Sequence, residues 1–436
     1  MKLTLAQKLE KRKLNRPPVI IYPLLKELVL KTLAKKWNTH FEWKVDTKKI
    51  KGPFVVVFNH ASRNDYVFTA LAFPNHRLNF IAGYNEFFRS HLQFIFRLAN
   101  VIPKRNFVPD LHTIMQAMRI IRKGGVISIA PEGMNSISGA NQPVAIGTGK
   151  FLKHLNVPVY CVTIKGGYLM GPKYCLDDRI GKVNVSTDIL FTTEQLQGLS
   201  AQEIEDKLNV AITHDDYEYN LKEQIEFKCD EMAKNMHTYL YRCPKCGKEL
   251  TMRSKGNDLY CESCGNGVTL DQKYNLHPLT PNSVFPKTPK RWYDWQRQMI
   301  YREIKNNPDY ILTEKVKLGC LPDYKYLTDY KTSEIVGEGT ITISRKGFTF
   351  DGVKNGKPFT FSLTTDELPT YGMCTDMTRF YTFYKKDFYE FYPETESVAK
   401  WFLVTEELHR INGGKWQNLP SASDIYGDEL IFDPNK

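Results

Sequence analysis

The chain has 436 residues, 42% hydrophobic and 25% charged, which is enough apolar material for two or three domains with cores of their own and excludes a wholly disordered chain. Sixty Lys and Arg against 48 Asp and Glu leave a formal net charge of +12, which suits an anionic partner: a phospholipid surface, a phosphorylated substrate or a nucleic acid. No stretch approaches 18 uninterrupted apolar residues and no signal-peptide pattern opens the chain, so a membrane-spanning helix and a secretory leader are not expected; nine cysteines, an odd number, point to a reducing, cytoplasmic compartment.

Residues 1–16 carry six basic residues against one acid, and "VIIYPLLKELVLKTLAKKW" comes next, with Leu25, Leu28, Val29 and Leu33 near helical spacing. Leu30 and Lys36 fall off that pattern. Residues 1–45 are therefore expected to form a basic amphipathic segment that packs on the protein, touches an anionic membrane surface, or both.

From about 53 to 186, short β-branched runs alternate with helical patterns. Strands are expected at "PFVVVF", "LNFIA", "GVISIA" and "VPVYCVTI", with helices near 67–73, 86–98, 110–123 and 145–155. In the helix after Asp110, a plausible N-cap, Leu111, Ile114, Met115 and Met118 make the expected apolar face. Ser200 and Glu203 have capping-box spacing ahead of another helix. The whole reads as an α/β unit, a sheet covered by helices, over 46–240.

The strand "PFVVVF" runs into Asn59-His60, with Asp65 five residues beyond the histidine. On one straight helix that step leaves the side chains about 140° apart, but they can meet across a strand-to-helix turn. The carboxylate would then fix the tautomer of His60 and leave its other ring nitrogen free as a base. Such a pair lacks its own nucleophile, which would be a substrate hydroxyl.

"NHASRND" resembles the N-H-x-x-x-x-D signature of the glycerolipid acyltransferases, the 1-acylglycerol-3-phosphate acyltransferase family. Three further stretches stand in that family's order: "NVIPKRN" with Arg105, "IAPEGMNSISG" with Pro131, Glu132 and Gly133, and "NVPVYCVTI" with Pro158. The resemblance covers roughly residues 50–215. It implies transfer of an acyl group from a thioester, on coenzyme A or acyl carrier protein, to the hydroxyl of a lysolipid, with His60 as general base and Asp65 as its partner. It further implies an acceptor site at Asn59, Lys104, Arg105, Glu132, Gly133 and Asn135, in which Arg105 binds phosphate. One departure bears on the acceptor: the family's third block continues to a threonine and an arginine, where this chain has Met134 and Asn135. A cation is missing there, which brings in glycolipids and other acceptors without a phosphate monoester.

"CPKCG" at 243–247 and "CESCG" at 261–265 form two C-x-x-C-G knuckles. Four thiolates at this spacing, Cys243, Cys246, Cys261 and Cys264, are expected to hold a structural zinc ion in a ribbon over 241–276, with no coordination position left for water. A proline-rich linker and a helix are expected over 277–335, with Trp292, Trp295 and Met299 on one stripe that reads as a core face or a membrane-dipping one. Residues 336–436 switch to period two, with Ile341/Ile343, Phe348/Phe350 and Phe359/Phe361 alternating and Asn355-Gly356 marking a hairpin. A helix with Val398, Trp401, Phe402, Thr405 and Leu408 on one side closes the run. This arrangement resembles the pleckstrin-homology-like fold and implies a headgroup- or protein-binding role.

The expected protein is a cytoplasmic acyltransferase, peripheral on the inner face of the membrane and acting in phospholipid biosynthesis. A basic zinc-ribbon protein that binds nucleic acid is the alternative, and it leaves the four ordered blocks unexplained.

Overall fold

The structure, a computed structural model, describes residues 2–328, 331–414 and 432–433. Seven strands build the first sheet: β1 (Thr39–Trp43), β2 (Phe54–Phe58), β3 (Leu78–Gly83), β4 (Ile102–Lys104), β5 (Val126–Ile129), β6 (Val159–Lys165) and β7 (Val183–Phe191), in the spatial order β1-β7-β6-β2-β5-β3-β4. Strands β6, β2, β5, β3 and β4 are parallel, and β7 runs antiparallel to β6. Strand β2 lies in the middle and all five of its residues are buried, which is why it reads as an unbroken apolar run rather than an alternating one. Its Phe54, Val56 and Phe58 enter one core, and Val55 and Val57 enter another on the opposite face of the sheet.

Two expected helix faces are corrected. In the helix Leu111–Arg122, Asp110 caps Thr113 N–H as expected, but Leu111 and Met115 are 73% and 61% exposed. The face turned inward is Thr113, Gln116, Ala117, Ile120 and Ile121. Polar residues are tolerated there because each finds a partner: Thr113 Oγ1 donates to the Pro103 carbonyl, and Gln116 Oε1 accepts from Leu14 N–H. In the N-terminal segment a helix over Leu5–Lys11 precedes a helical run over 21–36 that contains a π-turn at Lys26–Leu30. Tyr22, Lys26, Leu30 and Ala34 face inward, so Leu30 belongs to the inner face and Leu28 and Val29 are outside. The buried Lys26 ammonium donates to the carbonyls of Phe73, Pro74 and His76, which fixes the rotation of the helix and leaves Ile20, Leu24 and Leu28 exposed.

A second sheet is a four-stranded antiparallel meander, β8 (Met252–Lys255), β9 (Asp258–Cys261), β10 (Gly267–Leu270) and β11 (Leu276–Pro278). It is tied to the first domain by Arg179, whose buried guanidinium donates to the hydroxyls of Tyr174 and Tyr274 and to the Met232 carbonyl. Tyr274 in turn donates to the Leu169 carbonyl at 2.7 Å. In the helix Pro289–Asn306, Trp292 and Trp295 are buried, so their stripe is a core face.

The third sheet is antiparallel: β12 (Ile311–Cys320), β13 (Glu334–Ser344), β14 (Gly347–Lys354), β15 (Lys357–Leu363), β16 (Gly372–Met373), β17 (Phe380–Tyr384) and β18 (Asp387–Pro393), ordered β15-β14-β13-β12-β18-β17-β16. It starts at Ile311, ahead of the expected boundary at 336, because the first half of β12 has no buried residue and Glu314 interrupts the apolar side of its alternation. Asn355 and Gly356, both at positive φ, make the β14–β15 turn. The helix Val398–Ile411 buries Val398, Trp401, Phe402, Thr405 and Leu408. Residues 415–431 and 434–436 of the expected C-terminal domain lie outside the described residues. No helix among the described residues is long and apolar enough to cross a membrane.

Candidate active site

Parallel strands end on the same side of a sheet, so the residues just beyond each strand gather along one edge. Asn59-His60 come after β2, Pro131-Glu132-Gly133 after β5, Tyr84 after β3 and Arg105 after β4. The first three sequence blocks thus meet at the carboxyl edge of the sheet, whereas Pro158 of the fourth precedes β6 and lies at the opposite edge, where its carbonyl accepts from Val55 N–H.

His60 and Asp65 meet across the turn between β2 and the helix Asp65–Ala72. His60 Nδ1 and Asp65 Oδ2 are 2.8 Å apart, with the histidine side chain 28% exposed and the aspartate 1%. An ionised carboxylate only accepts, so Nδ1 carries the proton and Nε2 is left as the basic nitrogen. Nothing in the sequence marks Ser62, yet it holds Asp65: its N–H lies 3.0 Å from both carboxylate oxygens and its hydroxyl donates to Oδ1 at 3.0 Å.

The backbone around His60 is fixed with equal care. Asn59, completely buried, pairs its side-chain amide with β6, donating to the Ile164 carbonyl at 2.9 Å and accepting from Ile164 N–H at 2.7 Å. Glu132 Oε1 accepts from His60 N–H and Oε2 from Gln142 N–H, both at 2.6 Å. Burial pushes the Glu132 carboxyl up to about 8 against those two donors, with the charge of Asp65 adding to the rise. Ser136 N–H donates to the His60 carbonyl at 2.8 Å. Asn59 and Glu132 therefore brace the histidine's main chain. Gly133, at φ 78°, makes the turn beyond Glu132, with the Phe107 ring 3.5 Å from where a Cβ would stand.

The expected anion ligands stand farther off. Strand β4 is three places from β2, about 14 Å at ordinary strand spacing. Arg105 Nη2 is 2.7 Å from Glu10 Oε1 of the N-terminal helix, and its guanidinium lies 4.3 Å from the centre of the Tyr84 ring. Lys104 Nζ donates to the Arg105 carbonyl at 3.3 Å, and burial lowers the pKa of its ammonium. Asn135 is next to the histidine's brace, and its Oδ1 accepts from Lys173 Nζ at 2.5 Å. Lys173 lies outside all four blocks, and nothing in its sequence neighbourhood marks it.

The four knuckle cysteines converge as well. Their sulfur atoms all lie within 4.8 Å of one another, with Cys243–Cys264 at 3.6 Å and Cys246–Cys261 at 3.8 Å. A tetrahedron of sulfurs 2.3 Å from a central zinc has edges of about 3.8 Å. The two knuckles have the same turn: Gly247 N–H donates to the Cys243 carbonyl and Gly265 N–H to the Cys261 carbonyl, both at 2.9 Å, with both glycines at positive φ. The donor set fits a tetrahedral ion.

Comparison with known proteins bears on the first domain. No curated protein matches the chain. Among solved structures, the 1-acyl-sn-glycerophosphate (LPA) acyltransferase PlsC from Thermotoga maritima is similar, with 22% identity over 43% of this chain and 78% of that one and a TM-score of 0.35. A family model described as Acyltransferase matches residues 37–165, a span that includes His60, Asp65, Arg105 and Glu132. Over those residues the chain is similar to the acyltransferase family.

Proposed function

We propose that this protein is an O-acyltransferase that moves an acyl group from a thioester, on coenzyme A or acyl carrier protein, to the hydroxyl of a lysolipid, with 1-acylglycerol-3-phosphate or a close relative as acceptor. The observation that carries the reading is the 2.8 Å contact between His60 Nδ1 and the buried Asp65 carboxylate, with Nε2 left to face a substrate. Asp65 holds the imidazole in the tautomer a base needs. His60 Nε2 takes the proton from the acceptor hydroxyl as its oxygen attacks the thioester carbonyl, a service worth about 10²–10⁴ in rate. The tetrahedral intermediate collapses, the carbon–sulfur bond breaks, and the imidazolium returns the proton to the leaving sulfur. An ester and a free thiol result.

The exposed Ile20, Leu24 and Leu28, with Lys31 and Lys35 nearby in sequence, support contact with an anionic membrane surface, where a lysolipid acceptor resides. Peripheral binding to the inner face of the membrane is part of that reading. A zinc ion held by Cys243, Cys246, Cys261 and Cys264 would keep the ribbon folded, remote from acyl transfer. A pleckstrin-homology-like fold for the C-terminal domain is supported by a meander in which the first strand, β12, pairs with the last, β18, ahead of a helix.

The test is thiol release from acyl-coenzyme A by the purified protein, with and without lysophosphatidate, and identification of the lipid product. Acceptor-dependent thiol release with a matching diacyl product is expected. Thiol release indifferent to every lysolipid offered would refute acyl transfer to a lipid.

A further inference from the structure

Lys173 is 3% exposed, and among the described residues the carboxylates that act on it, Glu86 and Asp376, do so without forming an ion pair. Its ammonium donates to Asn135 Oδ1 at 2.5 Å and to the Met373 carbonyl, on β16 of the C-terminal domain, at 2.9 Å. Asp376 N–H donates back to the Lys173 carbonyl at 2.9 Å. A second contact between the domains lies close by, where Asn106 Nδ2 donates to the Tyr381 hydroxyl at 3.3 Å. The ammonium's hydrogen bonds go to neutral oxygens, and burial lowers its pKa to about 8 against the opposing charges of Glu86 and Asp376.

The amide of Asn135 shows how that charge can act. Lysine only donates, so Oδ1 must face it and Nδ2 must point away. No described protein group accepts from Nδ2. The residue after Asn135 is Ser136, whose N–H is bonded to the His60 carbonyl, so the main chain at Asn135 adjoins that of the candidate base. Arg105, by contrast, is three strands away and engaged by Glu10.

We propose that Lys173 is a positioning and specificity-determining residue: it turns the Asn135 amide toward the acceptor and puts a positive charge behind it, so that Asn135 and Lys173 together hold an anionic phosphate on the acceptor. This rests on the acyltransferase reading and deepens it. The Met373 carbonyl gives the C-terminal domain a part in the same subsite, since it fixes the other side of the ammonium.

The experiment compares wild type, Lys173→Met and Asn135→Asp on lysophosphatidate and on uncharged monoacylglycerol, alongside calorimetric binding of sn-glycerol 3-phosphate. Asn135→Asp is nearly isosteric and gives Lys173 a carboxylate partner, so it should fold even where Lys173→Met does not, while turning an oxygen toward the phosphate. In each folded variant the ratio of kcat/KM for lysophosphatidate over monoacylglycerol should fall at least tenfold, mostly through KM, and glycerol 3-phosphate should bind at least tenfold more weakly. Equal losses on both acceptors, or unchanged glycerol 3-phosphate binding, would overturn the assignment and leave the acyltransferase reading standing. A wild type that acylates neither acceptor would refute the acyltransferase reading, while the binding comparison would still decide the subsite.

Discussion

Asp65→Asn exchanges one carboxylate oxygen for an NH2 group at a place where both oxygens are in use. Oδ2 is 2.8 Å from His60 Nδ1, and Oδ1 accepts from the Ser62 hydroxyl at 3.0 Å, with the Ser62 N–H within 3.0 Å of both. An asparagine keeps one acceptor. With that oxygen serving Ser62, the amide N–H faces Nδ1, which must then accept, so the ring proton moves to Nε2. That nitrogen can no longer take the proton of the acceptor hydroxyl. Loss of the base should lower kcat by about 10²–10⁴, or roughly 2.7–5.4 kcal/mol of barrier at 1.36 kcal/mol per decade. Stability should fall too, by ~1.5–3 kcal/mol for each charge-assisted bond weakened at this buried site. The assay is steady-state thiol release from acyl-coenzyme A, with thermal melting to show that the variant remains folded. A folded Asp65→Asn protein with kcat within threefold of wild type would refute the tautomer argument.

Glu132→Gln should lose one of its two backbone contacts and set an NH2 group against a main-chain N–H, which lowers kcat by displacing His60 and costs ~1–3 kcal/mol of stability. Because burial raises this carboxyl from 4.5 to about 8, the folded chain holds a proton that the unfolded chain releases between those values. Wild type should therefore lose stability relative to Glu132→Gln as pH rises from about 4.5 to about 8, measured as the difference in melting temperature. Metal analysis should find one zinc per chain, and Cys246→Ser should lower both the zinc content and the melting temperature; a fully folded chain without metal would contradict the ribbon. Asn135→Arg would be expected, from the family pattern, to restore a phosphate ligand, but its guanidinium would meet the Lys173 ammonium. The single variant should therefore melt lower than wild type, and Lys173→Met should recover the loss in the double variant; a single variant as stable as wild type would contradict this.

The central sheet is legible in the sequence because β2 and its neighbours are short, β-branched and bounded by turns, and the His60–Asp65 pair because strand-to-helix geometry is set by where the apolar run stops. The face of the helix Leu111–Arg122 is not, because buried Thr113 and Gln116 are satisfied by partners distant in sequence, Pro103 and Leu14. Arg105 reaches the carboxyl edge with its block, but its pairing with Glu10 depends on how the N-terminal helix docks. Lys173 carries no local signal at all. It reaches Asn135 only because a loop from the first domain is pinned between the Pro-Glu-Gly turn and a strand of the C-terminal sheet, and such long-range meetings leave no trace in spacing or composition.

His60 is proposed as the base that activates the acceptor. Its most direct test is acyl transfer by His60→Ala, purified and shown by melting and circular dichroism to keep the wild-type fold. The side chain is partly exposed and its main-chain bonds to Glu132 and Ser136 survive the substitution, so folding should be intact while lysophosphatidate-dependent thiol release falls by at least about 10². A folded His60→Ala protein that turns over at the wild-type rate would contradict the account.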